Sequence, residues 1–284
     1  GTLTVNTGEL DHTADTQYVL GTGGTTINTQ EAQVAGTDGV VDLTVDADAL
    51  ESGTLTVSGD ADILLDNVSD TVAAAGLSGE LTVNSETSET FTVTAGSAKT
   101  TVDSANGSDI TIDAANISND SDGDTSELVI TGSGAATVTD LNADTDASTQ
   151  TGVLNVATAV NATVTVLAGF ADATIDANGA GADVTVNVEN MDNDRLFLHG
   201  SGDVTAIDLA NDGIIDADGS AETDNALLNG ELDVRLQESA TGFEIRTGTA
   251  TTRVGGDDTG GSGDINAGAM ADDETLELTG ATDF

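Results

Sequence analysis

Cysteine is absent from all 284 residues, which removes disulfides, thiolate metal centres and cysteine nucleophiles together. Proline is absent as well while glycine numbers 34, so turns must rest on positive-φ glycine and Asx hydrogen bonding rather than on ring-locked φ. Aromatic residues make up 2% and tryptophan is missing. Interior volume therefore has to come from Val, Leu, Ile, Ala and Thr, which suit narrow interiors built from strands. Lysine and arginine together number 5. A chain so poor in cations is excluded from nucleic acid and from anionic membrane surfaces, because both demand basic side chains against phosphate. Membrane insertion is not expected, since no apolar run approaches the ~20 residues of a spanning helix.

What is present in excess is acid: 51 Asp and Glu give a net charge of −46. A folded surface with that charge repels itself in dilute salt, so neutralisation is required. Divalent cations are the natural candidates. A solvated surface adapted to high salt explains the total equally well, but it does not predict carboxylates clustered at turns.

One segment recurs four times, as Gly1-Thr2-Leu3-Thr4-Val5, Gly79-Glu80-Leu81-Thr82-Val83, Gly152-Val153-Leu154-Asn155-Val156 and Gly230-Glu231-Leu232-Asp233-Val234, with spacings of 78, 73 and 78 residues. The register holds downstream. Gly21, Gly96, Gly169 and Gly248 each precede Ile27, Val102, Ile175 and Val254 by six residues, and Asp42, Asp109, Asp183 and Asp264 open further strands. A last landmark closes the unit at Leu55-Thr56-Val57-Ser58-Gly59, Leu128-Val129-Ile130-Thr131-Gly132, Leu196-Phe197-Leu198-His199-Gly200 and Leu276-Glu277-Leu278-Thr279-Gly280. Four ordered landmarks define units at 1–78, 79–151, 152–229 and 230–284, the first and last partial. The closing Gly280-Ala281-Thr282-Asp283-Phe284 stops where Gly59-Asp60-Ala61-Asp62-Ile63 runs on into another strand, so the expectation is a segment of a longer chain.

Within each landmark apolar residues alternate, the period-2 signature of a strand with one buried face. The class expected is all-β with tandem ~76-residue repeats. Two architectures use this pattern. In a stacked parallel β-helix, or β-solenoid, each unit supplies about four coils of ~19 residues at ~4.8 Å spacing, filled by small aliphatic side chains. In a string of small β-sandwich modules each unit carries its own core, which usually takes an aromatic anchor. The scarcity of aromatics favours the solenoid.

Acid concentrates at turns. Asn119-Asp120-Ser121-Asp122-Gly123-Asp124-Thr125-Ser126-Glu127 places Asp120, Asp122, Asp124 and Glu127 around a glycine, as in Asp-rich calcium loops, although no helix flanks it as an EF-hand requires. A related turn carries Asp216 and Asp218. Gly255-Gly256-Asp257-Asp258-Thr259-Gly260-Gly261-Ser262-Gly263-Asp264-Ile265 resembles the calcium-binding nonapeptide of RTX proteins, which implies a calcium role for Asp257, Asp258 and Asp264. The equivalent turns, from Asp103 to Asp109 and from Asp176 to Asp183, keep the acids but lose most glycines. Across its whole length the Thr, Ala, Asp and Gly-rich chain resembles RTX-linked bacterial surface-layer proteins and large repeat adhesins. That resemblance implies secretion, folding on meeting several Ca2+ ions outside the cell, and lateral self-assembly.

Enzymatic readings are poorer. His12 and His199 are the only histidines, and His199 sits where other units have Ser58, Thr131 and Thr279, so it is expected to face solvent. Tyr18 is the lone tyrosine, too few aromatics for sugar-stacking platforms. A calcium-dependent polysaccharide lyase would need its base among Lys99, Arg195, Arg235, Arg246 and Arg253, for which ion pairs, such as Arg253 with Asp257 or Asp258, are the commoner use. The expectation is a non-enzymatic, extracellular surface-layer or filament segment that forms a homo-oligomer or polymer, with cell-surface polysaccharide as a further partner. The alternative is the extender of a calcium-dependent adhesin.

Overall fold

In the computed structural model of the protein, residues 3–10, 16–31, 41–50, 53–85, 90–117, 127–191, 193–219, 226–237, 240–256 and 262–279 are described. They fall into two compact units, Gly1–Thr139 and Asp140–Phe284. The first contains β1 (Leu3–Leu10), β2 (Thr16–Val19), β3 (Thr25–Glu31), β4 (Leu43–Asp46), β5 (Thr54–Gly59), β6 (Ile63–Val68), β7 (Thr71–Leu77), β8 (Leu81–Ser85), β9 (Phe91–Thr94), β10 (Thr100–Ser104), β11 (Ile110–Asp113), β12 (Leu128–Gly132) and the greater part of β13 (Ala136–Leu141). The second contains β14 (Thr145–Asp146), β15 (Leu154–Thr158), β16 (Thr163–Leu167), β17 (Ala173–Ala177), β18 (Asp183–Asn187), β19 (Arg195–Gly200), β20 (Asp203–Leu209), β21 (Ile214–Asp216), β22 (Leu232–Leu236), β23 (Thr241–Arg246), β24 (Thr252–Gly256), β25 (Ser262–Asn266) and β26 (Leu276–Thr279). Among the described residues the one helical element is a 3-10 turn, Ala105–Gly107.

In each unit odd-numbered strands pair with odd and even with even, so the chain winds between two parallel sheets. Each odd strand and the even strand after it make one coil, and coils recur about every 20 residues. This is the β-solenoid. The sandwich alternative needs antiparallel neighbours, and the pairings here run parallel. The short apolar-polar alternation has one physical solution in such a coil: β8, β10 and β15 bury every second side chain. Stacking then sets like on like. Val83 lies beside Val102, and Val102 beside Ile130, all fully buried. The interior is narrow and aliphatic, with Phe91 and Phe243 as buried aromatics.

The recurring landmarks acquire a sharper meaning in this frame. Leu3, Leu81, Leu154 and Leu232 stand on β1, β8, β15 and β22, seven strands apart, so successive copies fall on alternate sheets. The ~76-residue period is therefore three and a half coils, where about four were expected. The two sheets are equivalent enough to accept the same sequence. The landmark glycines Gly59, Gly132 and Gly200 all have positive φ, between 99° and 117°. At each, a Cβ would collide with the backbone of the preceding coil, at Thr29, Ser104 and Ala177 respectively. Glycine recurs there because the chain must turn left-handed against a neighbour already in place.

Burial and outward exposure on one strand give a paired test in chemical denaturation. Ile112→Ala, at a fully buried position, is expected to cost about 2–5 kcal/mol. Thr111→Ala, one residue away on the outer face, is expected to cost less than about 1 kcal/mol.

Candidate functional site

Acidic side chains at the coil corners have a specific structural task. An amide at or just before the start of a strand lies at the rim of the ladder, and in several coils an aspartate from the preceding coil accepts its hydrogen bond. In the first unit Asp42 Oδ2 accepts from the Asp62 amide at 2.9 Å, Asp62 Oδ1 from Glu80 at 2.7 Å, and Asp109 Oδ1 from Ala135 at 3.0 Å. In the second unit Asp172 Oδ1 accepts from Arg195 at 2.8 Å and Asp203 Oδ1 from Glu231 at 2.8 Å, and Asp144 Oδ1 accepts from Thr165, inside β16, at 2.6 Å. A charged acceptor on a backbone N–H is among the stronger hydrogen bonds available. This accounts for acids immediately before strands.

Parallel stacking also sets acids beside acids. Asp46 and Asp66 are direct partners on β4 and β6, and each is bound by an asparagine, Asp46 by Asn67 Nδ2 at 3.1 Å and Asp66 by Asn84 Nδ2 at 2.8 Å. Asp103 continues this column beside Asn84. In the second unit Asp183 faces Asp203 and Glu244 faces Asp264. Asparagine amides relieve part of the repulsion. Where two carboxylates face directly, like charges in register are destabilising, and at Glu244 the counter-charge comes from Arg246 Nε at 2.8 Å.

The site residues expected from sequence distribute as follows. Asp120, Asp122, Asp124, Asp257 and Asp258 lie outside the described residues. Glu127 is buried just before β12, and its backbone carbonyl accepts from the Thr100 amide at 2.7 Å. Asp103 and Asp176 occupy equivalent outer positions, each with Oδ1 close to a landmark glycine of the next coil, Gly132 and Gly200. Asp109 acts as a corner acceptor, while Asp183 and Asp264 are exposed members of acidic pairs. Among the described residues no three Asp, Glu or His side chains converge as a metal cage. The arrangement is one of pairs along the coils.

Asp216 and Asp218 form a separate environment. Asp216 stands at the end of β21, in register with Phe197 on one side and Arg246 on the other, and it is 1% exposed. Its Oδ2 accepts from Arg246 Nη1 at 3.1 Å, and Arg246 Nε reaches Glu244 Oε1 at 2.8 Å. Burial, and after it the adjacent Asp218 carboxyl, push the Asp216 carboxyl above its usual range, with Arg246 opposing the shift. The contact with Glu244 in turn raises the Arg246 guanidinium. The Arg246 guanidinium thus supplies a positive charge beside Asp216. The neighbouring His199, on β19 beside Asp176, has Nε2 buried rather than in solvent.

Sequence reasoning flagged Asp42, Asp109, Asp183 and Asp264 as strand openers but did not identify the amide-accepting role. Arg253 contacts Glu231 at 2.6 Å and Glu277 at 3.6 Å, while its expected partners Asp257 and Asp258 lie outside the described residues. No protein-family model, curated protein or solved structure matches this chain.

Two outcomes follow from these contacts. Asp109→Ala is expected to lose about 1 kcal/mol with or without a chelator, while Asp109→Asn, which keeps the acceptor, stays close to the native protein in thermal melts. For Asp216 the folded-state carboxyl binds its proton more readily than the unfolded chain does. Its contribution is therefore fully present below the ordinary carboxylate range and fades as pH rises through the raised folded value. Asp216→Asn has no such loss, so melting temperatures across pH 4 to 7 should show the variant gaining on the native protein with rising pH.

Proposed function

We propose that this chain is a structural, non-enzymatic segment of an extracellular surface layer or filament, in which Ca2+ neutralises acidic columns and neighbouring copies associate through them. The observation that carries this reading is the registered carboxylate pair, Asp46 with Asp66 and Asp183 with Asp203, repeated on a chain of net charge −46. Two carboxylates about 5 Å apart repel by about 1 kcal/mol even in water, and by more at lower effective dielectric. A hard divalent cation bound by oxygen ligands relieves several such pairs at once. Pairs exposed on an outer face, rather than cages, also suit cations shared between copies.

Binding of this kind has extracellular strength, with dissociation constants of ~10⁻⁴ to 10⁻³ M. The chain would be less stable at lower calcium and gain stability once exported. A run of coils with a repetitive, solvated outer face is then a building element, and its function is regularity.

Far-UV circular dichroism and light scattering test this directly. Millimolar CaCl2 is expected to raise the melting temperature and the particle mass, and EDTA to reverse both. NaCl at matched ionic strength is expected to do much less. An equal response to both salts would assign the acid to general solvation in high salt and overturn the calcium reading.

A further inference from the structure

An asparagine followed by glycine can react with its own backbone, because a glycine without Cβ leaves the following amide nitrogen unshielded. The pair occurs three times, at Asn106-Gly107, Asn178-Gly179 and Asn229-Gly230. The side chain of Asn106 lies outside the described residues. The other two pairs stand in opposite surroundings.

At Asn229 the side chain is engaged, its Oδ1 accepting from Thr249 Oγ1 at 2.9 Å. Its backbone N–H donates to the Gly200 carbonyl at 2.7 Å. Gly230 is buried and packed against the carbonyl of Gly202 in the coil before. Both reacting groups are therefore held.

Asn178 stands exposed just after β17, at a corner of the second unit. Its backbone is anchored, the N–H donating to Thr158 Oγ1 at 2.9 Å and the carbonyl accepting from Asn161 at 3.1 Å. Among the described residues no hydrogen bond holds its side chain or the Gly179 N–H. Gly179 has a φ of 94°, and a Cβ there would come within 3.0 Å of Val160 Cγ1 and 3.1 Å of Asn161 Oδ1. The corner thus requires glycine. The same missing side chain leaves the Gly179 nitrogen open to Asn178.

We propose that Asn178 is a self-modifying site, converting to aspartate or isoaspartate in the folded protein. The Gly179 nitrogen bonds to Asn178 Cγ and gives up its proton, the Cγ–Nδ2 bond breaks, and Nδ2 leaves with that proton as ammonia. Water then opens the cyclic imide. Attack at the side-chain carbonyl restores the main chain and leaves an aspartate; attack at the main-chain carbonyl leaves an isoaspartate. Water is the only co-reactant, and the reaction is independent of calcium and of assembly.

The aspartate product has a counterpart within the chain. Asp176-Ala177-Asn178-Gly179 differs from Asp216-Ala217-Asp218-Gly219 only at the amide, and both glycines have positive φ. Conversion therefore adds an acidic corner of a kind the coils already accommodate. The isoaspartate product lengthens the main chain by a methylene. It does so beside the Ala177 carbonyl, which accepts from Ser201 and Gly202 of the next coil, each at 3.0 Å, so the tie between coils loosens.

The test is peptide mapping by mass spectrometry on the full chain, incubated folded in mildly acidic and mildly alkaline buffer, with a urea-unfolded sample alongside and circular dichroism reporting the fold. In the folded chain Asn178 is expected to convert several-fold faster than Asn229, and faster in the alkaline buffer, where the attacking nitrogen gives up its proton more readily. In urea the two are expected to convert at similar rates. Asn178→Gln is expected to keep the native spectrum, and to hold its melting temperature through an incubation that lowers that of the native protein. The proposal is overturned if Asn229 converts as fast as Asn178 in the folded chain, or if Asn178 keeps its amide there while the unfolded chain loses it. It is overturned equally if Asn178→Gln loses melting temperature on incubation as the native protein does.

Discussion

Registered stacking is the constraint on which the rest of this structure depends. Once a coil is laid on its neighbour in parallel, each residue meets its counterpart one rung away, for good or ill. Inside, the consequence is favourable, because small aliphatic side chains such as Val83, Val102 and Ile130 stack into a continuous column. Outside, the same rule sets Asp46 beside Asp66 and Asp183 beside Asp203. The interior determines how closely coils approach, and the outer face has to tolerate that spacing.

Three devices meet the cost on the outer face. Asparagine is interleaved with aspartate, as at Asn84 between Asp66 and Asp103. Corner aspartates turn their charge to use by accepting the exposed amide of the next coil. At Asp216 an arginine from the following rung supplies the counter-charge within the chain. These devices relieve the registered pairs only in part, and the charge left over is the reason the proposed function turns to cations from solution.

Much of the fold was legible in the sequence because alternation and recurrence are direct consequences of the coil. The strands at Leu81, Ile110 and Leu128 were visible from period-2 apolarity, and glycines such as Gly132 marked the turns. The number of coils per period was not visible. A strand on one sheet and its counterpart on the other bury the same residues in the same pattern, so sequence alone does not distinguish seven strands from eight. The corner role of Asp42 and Asp203 was hidden for a different reason. A carboxylate that accepts a backbone amide and one that awaits a metal look identical until the neighbouring coil is placed.

The account stands or falls on where cations sit. Crystals grown with calcium and measured for anomalous scattering show each ion against named side chains. The account predicts ordered density at the registered acidic rungs, between the carboxylates of Asp46 and Asp66 and of Asp183 and Asp203, and none at Asp216, where Arg246 supplies the charge. Acidic rungs carrying only water, with the coils intact, would contradict it.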